Sequence, residues 1–344
     1  TLGDAKGFTS PGVDDMPLFM IGMQRSGSNL LRLMLNQLPA LAAPHPPHIL
    51  ERLGPFEPNY GNLDNDENFM AMVDDVCRLI ETNPVRWELV DLDRRAIADS
   101  CPERSLVAAY ASVHDRLAQA WGADDWVCKS MANINYLPEI ERYFGDSARF
   151  IYLYRDGRDV ALSFRKALIG DKTFYHLGKS WHEAQQLALD LRDRVDSSRF
   201  ISISYEDLIQ SPETSLRGLC SFLGTDYQES MMDFHESSEA SRTAVTGLWS
   251  NVSRPVDQAN SAKFLKESTQ DEIELFEAVA GSSLDALGYP RYSVESGIEA
   301  EINPERLKRL DAENEKLRAL ALRDSDPKDR ELREPQAKFM GSLR

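Results

Sequence analysis

The sequence predicts an α/β fold, a single domain with a central parallel sheet flanked by helices. Three observations carry it. Residues 18–21, Leu-Phe-Met-Ile, form a short unbroken apolar run, as a strand buried on both faces of a parallel sheet requires. A turn bracketed by glycines, Gly22-Met23-Gln24-Arg25-Ser26-Gly27, follows at once, and behind it Leu30, Leu31, Met34, Leu35 and Leu38 recur at helical spacing. Apolar runs of strand length then return at 125–129, 149–154 and 200–205, with helical text between them.

The strand–loop–helix at 17–38 comes first because it carries chemistry. Free backbone N–H groups and the positive end of a helix dipole converge at such a turn, which suits a bound phosphate. In the nucleotide-hydrolase version, G-x-x-x-x-G-K-[ST], a lysine and a hydroxyl follow the second glycine; here those positions hold Ser28 and Asn29. The loop therefore lacks the parts that grip a β,γ-phosphate pair and its metal ion. It reads as a holder for a single 5′-phosphate, with Arg25, Ser26, Ser28 and Asn29 as donors around Gly27, and no metal is expected. An ordinary strand-to-helix turn would use the same glycines.

Residues 1–16, rich in Gly, Asp and Ser, form a loose lead-in. After the loop helix, residues 40–43 end a short second strand, and the segment 44–51 follows with His45, His48 and Glu51 among prolines. Side chains just beyond a strand's carboxyl end sit where open α/β sheets keep their chemistry. The prolines are expected to hold the segment out of helix and let it face Arg25; a surface turn with idle histidines is the plain alternative. From 52 to 124 the text is mostly helical, with Phe69, Met72, Val73, Val76, Leu79 and Ile80 on one face and a second amphipathic stretch at 106–117. This excursion is expected to supply a helical lid and an acceptor pocket.

Lys129 closes the run 125–129, and Arg155-Asp156-Gly157-Arg158-Asp159 closes the run 149–154. A helix over 159–167 would bring the Ser163 hydroxyl close to Arg155, a pair able to grip a second phosphate. A solvated charge cluster would look the same. The run 200–205 precedes Ser211-Pro212, an N-cap followed by proline, and a helix stopped by Gly224. A mixed loop, 242–263, carries Trp249, Arg254 and Lys263, and 271–287 is a last core helix.

Beyond residue 290 the chain turns highly charged and is expected to be a surface helix and then a tail, so the division is 1–16, 17–290 and 291–344. Leu307, Leu310, Asn314, Leu317 and Ala321 keep a 3,4 rhythm for about two heptads. A homodimer through that stripe is one reading; a helix lying on its own domain is preferred.

Length alone, 344 residues, would allow two domains. A net charge of −17, from 39 basic and 56 acidic residues, disfavours nucleic acid or an anionic membrane as the main partner. An anionic cofactor would then need a local cluster of Arg and Lys. Cys77, Cys101, Cys128 and Cys220 have no metal spacing and no disulfide framework, which leads us to expect a reduced, cytoplasmic setting. No stretch approaches about 18 uninterrupted apolar residues, so no membrane span is expected. A first residue of Thr leaves removal of a targeting segment open.

Three pieces coincide: QRSGSNLLR at 24–32, YRDGRDVALSF at 154–164, and YEDL at 205–208 with PETSLRGLCSFLG after it. In this order they resemble the sulfotransferases that use 3′-phosphoadenosine 5′-phosphosulfate (PAPS). The resemblance runs from residue 17 to about 289, including Leu287-Gly288-Tyr289. It implies a P-loop-like phosphosulfate loop at Arg25, Ser26, Gly27, Ser28 and Asn29, a 3′-phosphate site at Arg155 and Ser163, and a place for Tyr205 among the cofactor-binding residues. It implies transfer of the sulfuryl group to a hydroxyl of a small-molecule, carbohydrate or lipid acceptor, with desulfated PAP leaving. Cytosolic members carry Lys-Thr-His, in which the histidine is the base; the corresponding stretch is Lys129-Ser130-Met131. Lys129 with Arg25 would still meet the leaving phosphate, but Met131 takes no proton. Other branches place a His or Glu after the second strand, which makes His48 the leading base candidate, with Glu51 and His45 behind it. The RKG-x-x-G-D-W-K-N loop of cytosolic members is absent, so a 3′-phosphate role for Arg254 or Lys263 is open. A small-molecule or nucleoside kinase and a non-catalytic nucleotide-binding module are the rival readings.

Overall fold

Five parallel strands, β1 (Leu18–Ile21), β2 (Leu41–Ala42), β3 (Asp125–Cys128), β4 (Arg149–Tyr154) and β5 (Phe200–Ser204), lie in the order β2-β3-β1-β4-β5. They are those of a computed structural model that describes residues 16–168, 170–245, 247–293, 302–324 and 326–343. The lead-in up to residue 15 falls outside the described residues. Each apolar run of the sequence is a strand. The chain leaves central β1 for β2, returns through β3, then crosses to β4 and β5 on the other side. That reversal opens a crevice at the strands' carboxyl ends, beside β1.

Alternation along the strands builds two layers. Phe19 and Ile21, with Trp126, Cys128, Phe150 and Tyr152, face one helical layer; Leu18 and Met20, with Val127, Ile151 and Leu153, face the other. All four β1 residues are buried, the pattern of a strand covered on both faces. The second layer includes α1 (Ser28–Leu35), directly behind the loop. The first is built by the excursion after β2: α2 (Ile49–Leu53), α3 (Asp66–Glu81), α4 (Arg94–Ser100) and α5 (Leu106–Trp121). Asn65 caps α3 by accepting from the Glu67 and Asn68 amides, and Ser105 caps α5 through the Ala108 amide. All six apolar positions read on the face of α3 are buried within this layer. The excursion is thus mainly a layer of the core, and it reaches the crevice mainly through Glu51, Arg52, Asn83 and Pro84.

The rest follows as α6 (Leu137–Phe144), α7 (Gly157–Arg165), α8 (Phe174–Arg194), α9 (Tyr205–Gln210), α10 (Pro212–Leu223), α11 (Ser238–Ala244), α12 (Phe264–Glu267), α13 (Gln270–Ala286), α14 (Pro304–Arg323) and α15 (Pro327–Ser342). Gly224 ends α10 in the left-handed conformation, as expected. Ser211 sits at the N-cap position, but its hydroxyl makes no capping bond; the residue also closes α9, its amide donating to the Asp207 carbonyl at 2.8 Å.

The charged C-terminus departs from expectation. Instead of a helix and a tail there are two helices. On α14, Leu310 and Asn314 face the chain's own domain: the Asn314 Oδ1 accepts from the Lys172 and Thr173 amides at 2.7 and 3.2 Å, just ahead of α8. On α15, Phe339 is buried in the first layer and Arg78 stands 4.7 Å over its ring. Burying a Phe of this kind contributes about 1.5–3 kcal/mol, enough to hold an otherwise polar helix in place. No helix among the described residues is long and apolar enough to cross a membrane.

Candidate functional site

At the end of β1, a Cβ on Gly22 would stand 2.5 Å from the Leu153 carbonyl oxygen of β4, so only glycine fits. Gly27 (φ 91°) starts α1, with the Tyr205 ring 2.3 Å from where its Cβ would lie. The first helical bond of α1 is from the Leu31 amide to the Gly27 carbonyl, which leaves the preceding amides pointing out of the helix. Between the glycines, Arg25 adopts a left-handed conformation (φ 72°), and its Nε donates to the Ser163 Oγ at 3.0 Å. Ser163 was expected close to Arg155; its hydroxyl is engaged by Arg25 across from α7, and Ser163 and Arg155 line the same cavity.

Arg155, one residue past β4, donates to the Asn260 carbonyl at 2.8 Å and lies 4.3 Å over the Tyr205 ring. Its Nη2 is 3.5 Å from the Asp159 carboxylate, and its Nε is buried without a hydrogen-bond partner. The Tyr205 hydroxyl accepts from Asn260 at 2.7 Å. Asp156, Arg158 and Asp159 are buried too, so the cluster is no solvated face. Arg158 forks onto Asp156 (2.9 and 2.7 Å), reaches Glu277 at 2.5 Å and stacks under Phe264. Asp159 accepts from the Phe264 amide at 3.0 Å. These bonds fasten the segment leading into α12, which carries Asn260 and Lys263, to the end of the sheet.

Lys129, one residue past β3, is buried on the other side of β1. Burial first, then Arg32 and Arg25, push its amine down to about 7. Burial, with Arg155 adding to it, also lowers the Arg25 guanidinium. Ser130, which sequence reading passed over as the middle of Lys-Ser-Met, has its Oγ 2.9 Å from His48 Nδ1. Met131 is buried beneath Gly22 and reaches no proton, as expected.

The segment after β2 is less extended than its prolines suggest, since α2 begins at Ile49. His48 is its N-terminal boundary residue in a left-handed conformation (φ 61°), and Glu51 lies in the first turn. The Glu51 carboxylate is 3.2 Å from the same His48 Nδ1. Both contacts fall on Nδ1, which leaves Nε2 to take a proton. Burial pushes the imidazole down, against the pull of Glu51. Burial pushes the Glu51 carboxyl up, and His48, Arg52 and Lys129 together hold it below its ordinary value. His45 is buried with neither ring nitrogen bonded, 4.7 Å from the Trp249 ring; burial, then Lys129 and Arg32, push it well down.

One cavity of about 680 Å³ joins these groups. Arg25, Gly27, Ser28, Asn29, Lys129, Arg155, Ser163 and Tyr205 line it together with His45, His48 and Glu51. Arg254 and Lys263 lie on the wall as well. Ser26 is the exception among the loop candidates: its Oγ is buried behind the wall without a partner. Sequence reading missed Asn260, Arg52 and Arg333, the last because it lies on α15.

A family model described as the sulfotransferase family matches residues 17–229. The chain belongs to the sulfotransferase family. It is 23% identical over 279 residues to protein-tyrosine sulfotransferase A of Caenorhabditis elegans, covering 79% of this chain and 67% of that one. It is 24% identical over 291 residues to protein-tyrosine sulfotransferase 2 of Gallus gallus, covering 81% and 71%. Among solved structures, the sulfotransferase domain from the curacin biosynthetic pathway superimposes with a TM-score of 0.58 at 20% identity, over 80% of this chain and 99% of that one. The family match makes the protein a sulfotransferase, and the crevice beside β1 is its candidate active site. Helix α15 lies beyond the matched residues, yet supplies part of the wall.

Proposed function

We propose that the protein moves the sulfuryl group of PAPS to a hydroxyl of a small acceptor, with PAP leaving. One observation carries the reading: in a chain of net charge −17, Arg25, Lys129 and Arg155 are crowded around the N-terminus of α1. Crowding and burial depress two of these cations, a cost that an anion between them relieves. The orphaned Nε of Arg155, which lines the cavity, fits the same expectation.

The acceptor oxygen forms a bond to sulfur as the bond from sulfur to the bridging oxygen breaks, and that electron pair stays on the 5′-phosphate. Lys129, Arg25 and the α1 amides stabilise the growing charge, in a buried setting where such contacts are strongest. His48 Nε2 takes the acceptor's proton, while Glu51 and Ser130 at Nδ1 orient the ring. Arg155, stacked on Tyr205 and tied to Asn260, is the group for the 3′-phosphate.

Calorimetry tests the donor directly. PAP is expected to bind more tightly than ATP and to do so in EDTA, since Ser28 and Asn29 replace the lysine and metal-binding hydroxyl of a hydrolase loop. Magnesium-dependent ATP binding without PAP binding would favour a kinase. Arg155→Ala should weaken PAP by about ten- to hundredfold, the scale of hydrogen bonds to charged groups, and leave adenosine 5′-phosphosulfate nearly unchanged because it lacks the 3′-phosphate. Equal weakening of both ligands contradicts the assignment.

A further inference from the structure

The cavity has a second cationic end that the donor does not use. Arg52 of α2 and Arg333 of α15 both line it. The Arg52 Nε and the Arg333 Nε and Nη2 are buried without a hydrogen-bond partner among the described residues. Arg333 lies 5.7 Å over the Trp249 ring, the ring that stands 4.7 Å from His45 and 5.8 Å from the Lys129 amine. Trp249 thus connects the donor end, at Lys129, with this one. Burial pushes the Arg52 guanidinium down, Glu51 pulls it back, and Arg333 pushes it down again, so the two arginines feel each other. The neighbouring acids do not satisfy them. Glu51 is engaged with His48, and Asp329, one turn back on α15, comes no closer to Arg333 Nε than 3.7 Å. Two like charges with unmet N–H groups in one cavity call for an oxyanion between them.

We infer that the acceptor is itself an anion, a small hydroxylated carboxylate or phosphate whose oxyanion bridges Arg52 and Arg333 while its hydroxyl faces His48. The inference rests on the sulfotransfer reading of the same site and adds the class of acceptor. The cavity of about 680 Å³ must hold donor and acceptor together, which keeps the acceptor small. It also gives α15 a function: the helix returns from the end of the chain to complete the acceptor end.

The test is calorimetric titration of the PAP-saturated protein with benzoate, phenyl phosphate and neutral benzyl alcohol. At least one anion is expected to bind more tightly than the alcohol, and the stronger one tells carboxylate from phosphate. Arg52→Gln and Arg333→Gln should each weaken that anion about ten- to hundredfold, with Arg330→Gln, an exposed position on the same helix, as the unchanged control. Neither anion binding below about 10 mM overturns the inference, as does equal affinity for the alcohol or an undiminished affinity in the double variant. Failure of PAP to bind would overturn the donor reading alone; the same anions and variants would then be compared in the free protein.

Discussion

Exchanging Lys129 for methionine is expected to lower turnover about 10²- to 10³-fold, the usual cost of removing one preorganised group from a developing oxyanion. Methionine keeps the stem in its buried channel, so the loss reports charge rather than packing. The same lysine gives the reaction a pH signature. Its amine in the free protein titrates at about 7, because burial and then Arg32 and Arg25 disfavour the ammonium. A dianionic phosphate selects the protonated form, so donor kcat/KM should fall as pH rises through about 7, and this basic limb should vanish in Lys129→Met. Stopped assays of PAP release across pH 5.5–9 with both proteins provide the check. A variant with wild-type turnover, or one that keeps the limb, removes Lys129 from the mechanism.

The strands and their chemical termini were legible because each obeys a local rule. Apolar runs at 18–21 and 149–154 must be covered on both faces, 200–204 has the length and composition of a strand at the sheet edge, and Lys129 and Arg155 fall at the one end of a parallel sheet where ligands bind. The partner of Ser163 was not legible. It depends on Arg25 being left-handed, which no residue type announces for an arginine. Equally hidden was the burial of Arg158, since its partners Glu277 and Phe264 lie more than a hundred positions along the chain. Helix α15 was read as tail because Phe339 is its one buried apolar residue, its other buried positions being the polar Asp329 and Gln336, in text that is mostly polar or charged. Periodicity detects apolar faces, and one buried apolar residue is not a face. The family resemblance pointed to Arg25, Arg155 and Tyr205, which line one cavity; Arg52 and Arg333 on the same wall obey no local rule that a sequence displays.

His48→Asn should lower turnover about 10²- to 10⁴-fold, the range for loss of a general base, while PAP affinity stays within about twofold. Asparagine is the informative exchange. At φ 61° an alanine would add backbone strain, whereas Asn tolerates the left-handed region and keeps a polar group near Ser130 and Glu51, yet accepts no proton at neutral pH. Glu51→Gln separates the two candidates through the acid limb of the profile. Glu51 holds the imidazole pKa up against burial, so removing its charge lets that pKa fall. The limb should therefore move to lower pH, with a loss of rate smaller than that of His48→Asn. If Glu51 were the base, the outcome would invert: Glu51→Gln would be inactive, and His48→Asn would keep turnover, with an acid limb set by the carboxyl group. His45→Asn is the third arm, because His45 lines the same cavity with both nitrogens unbonded. Its pKa, pushed far down by burial and Lys129, makes it a weak base, and its exchange should cost less than either of the others.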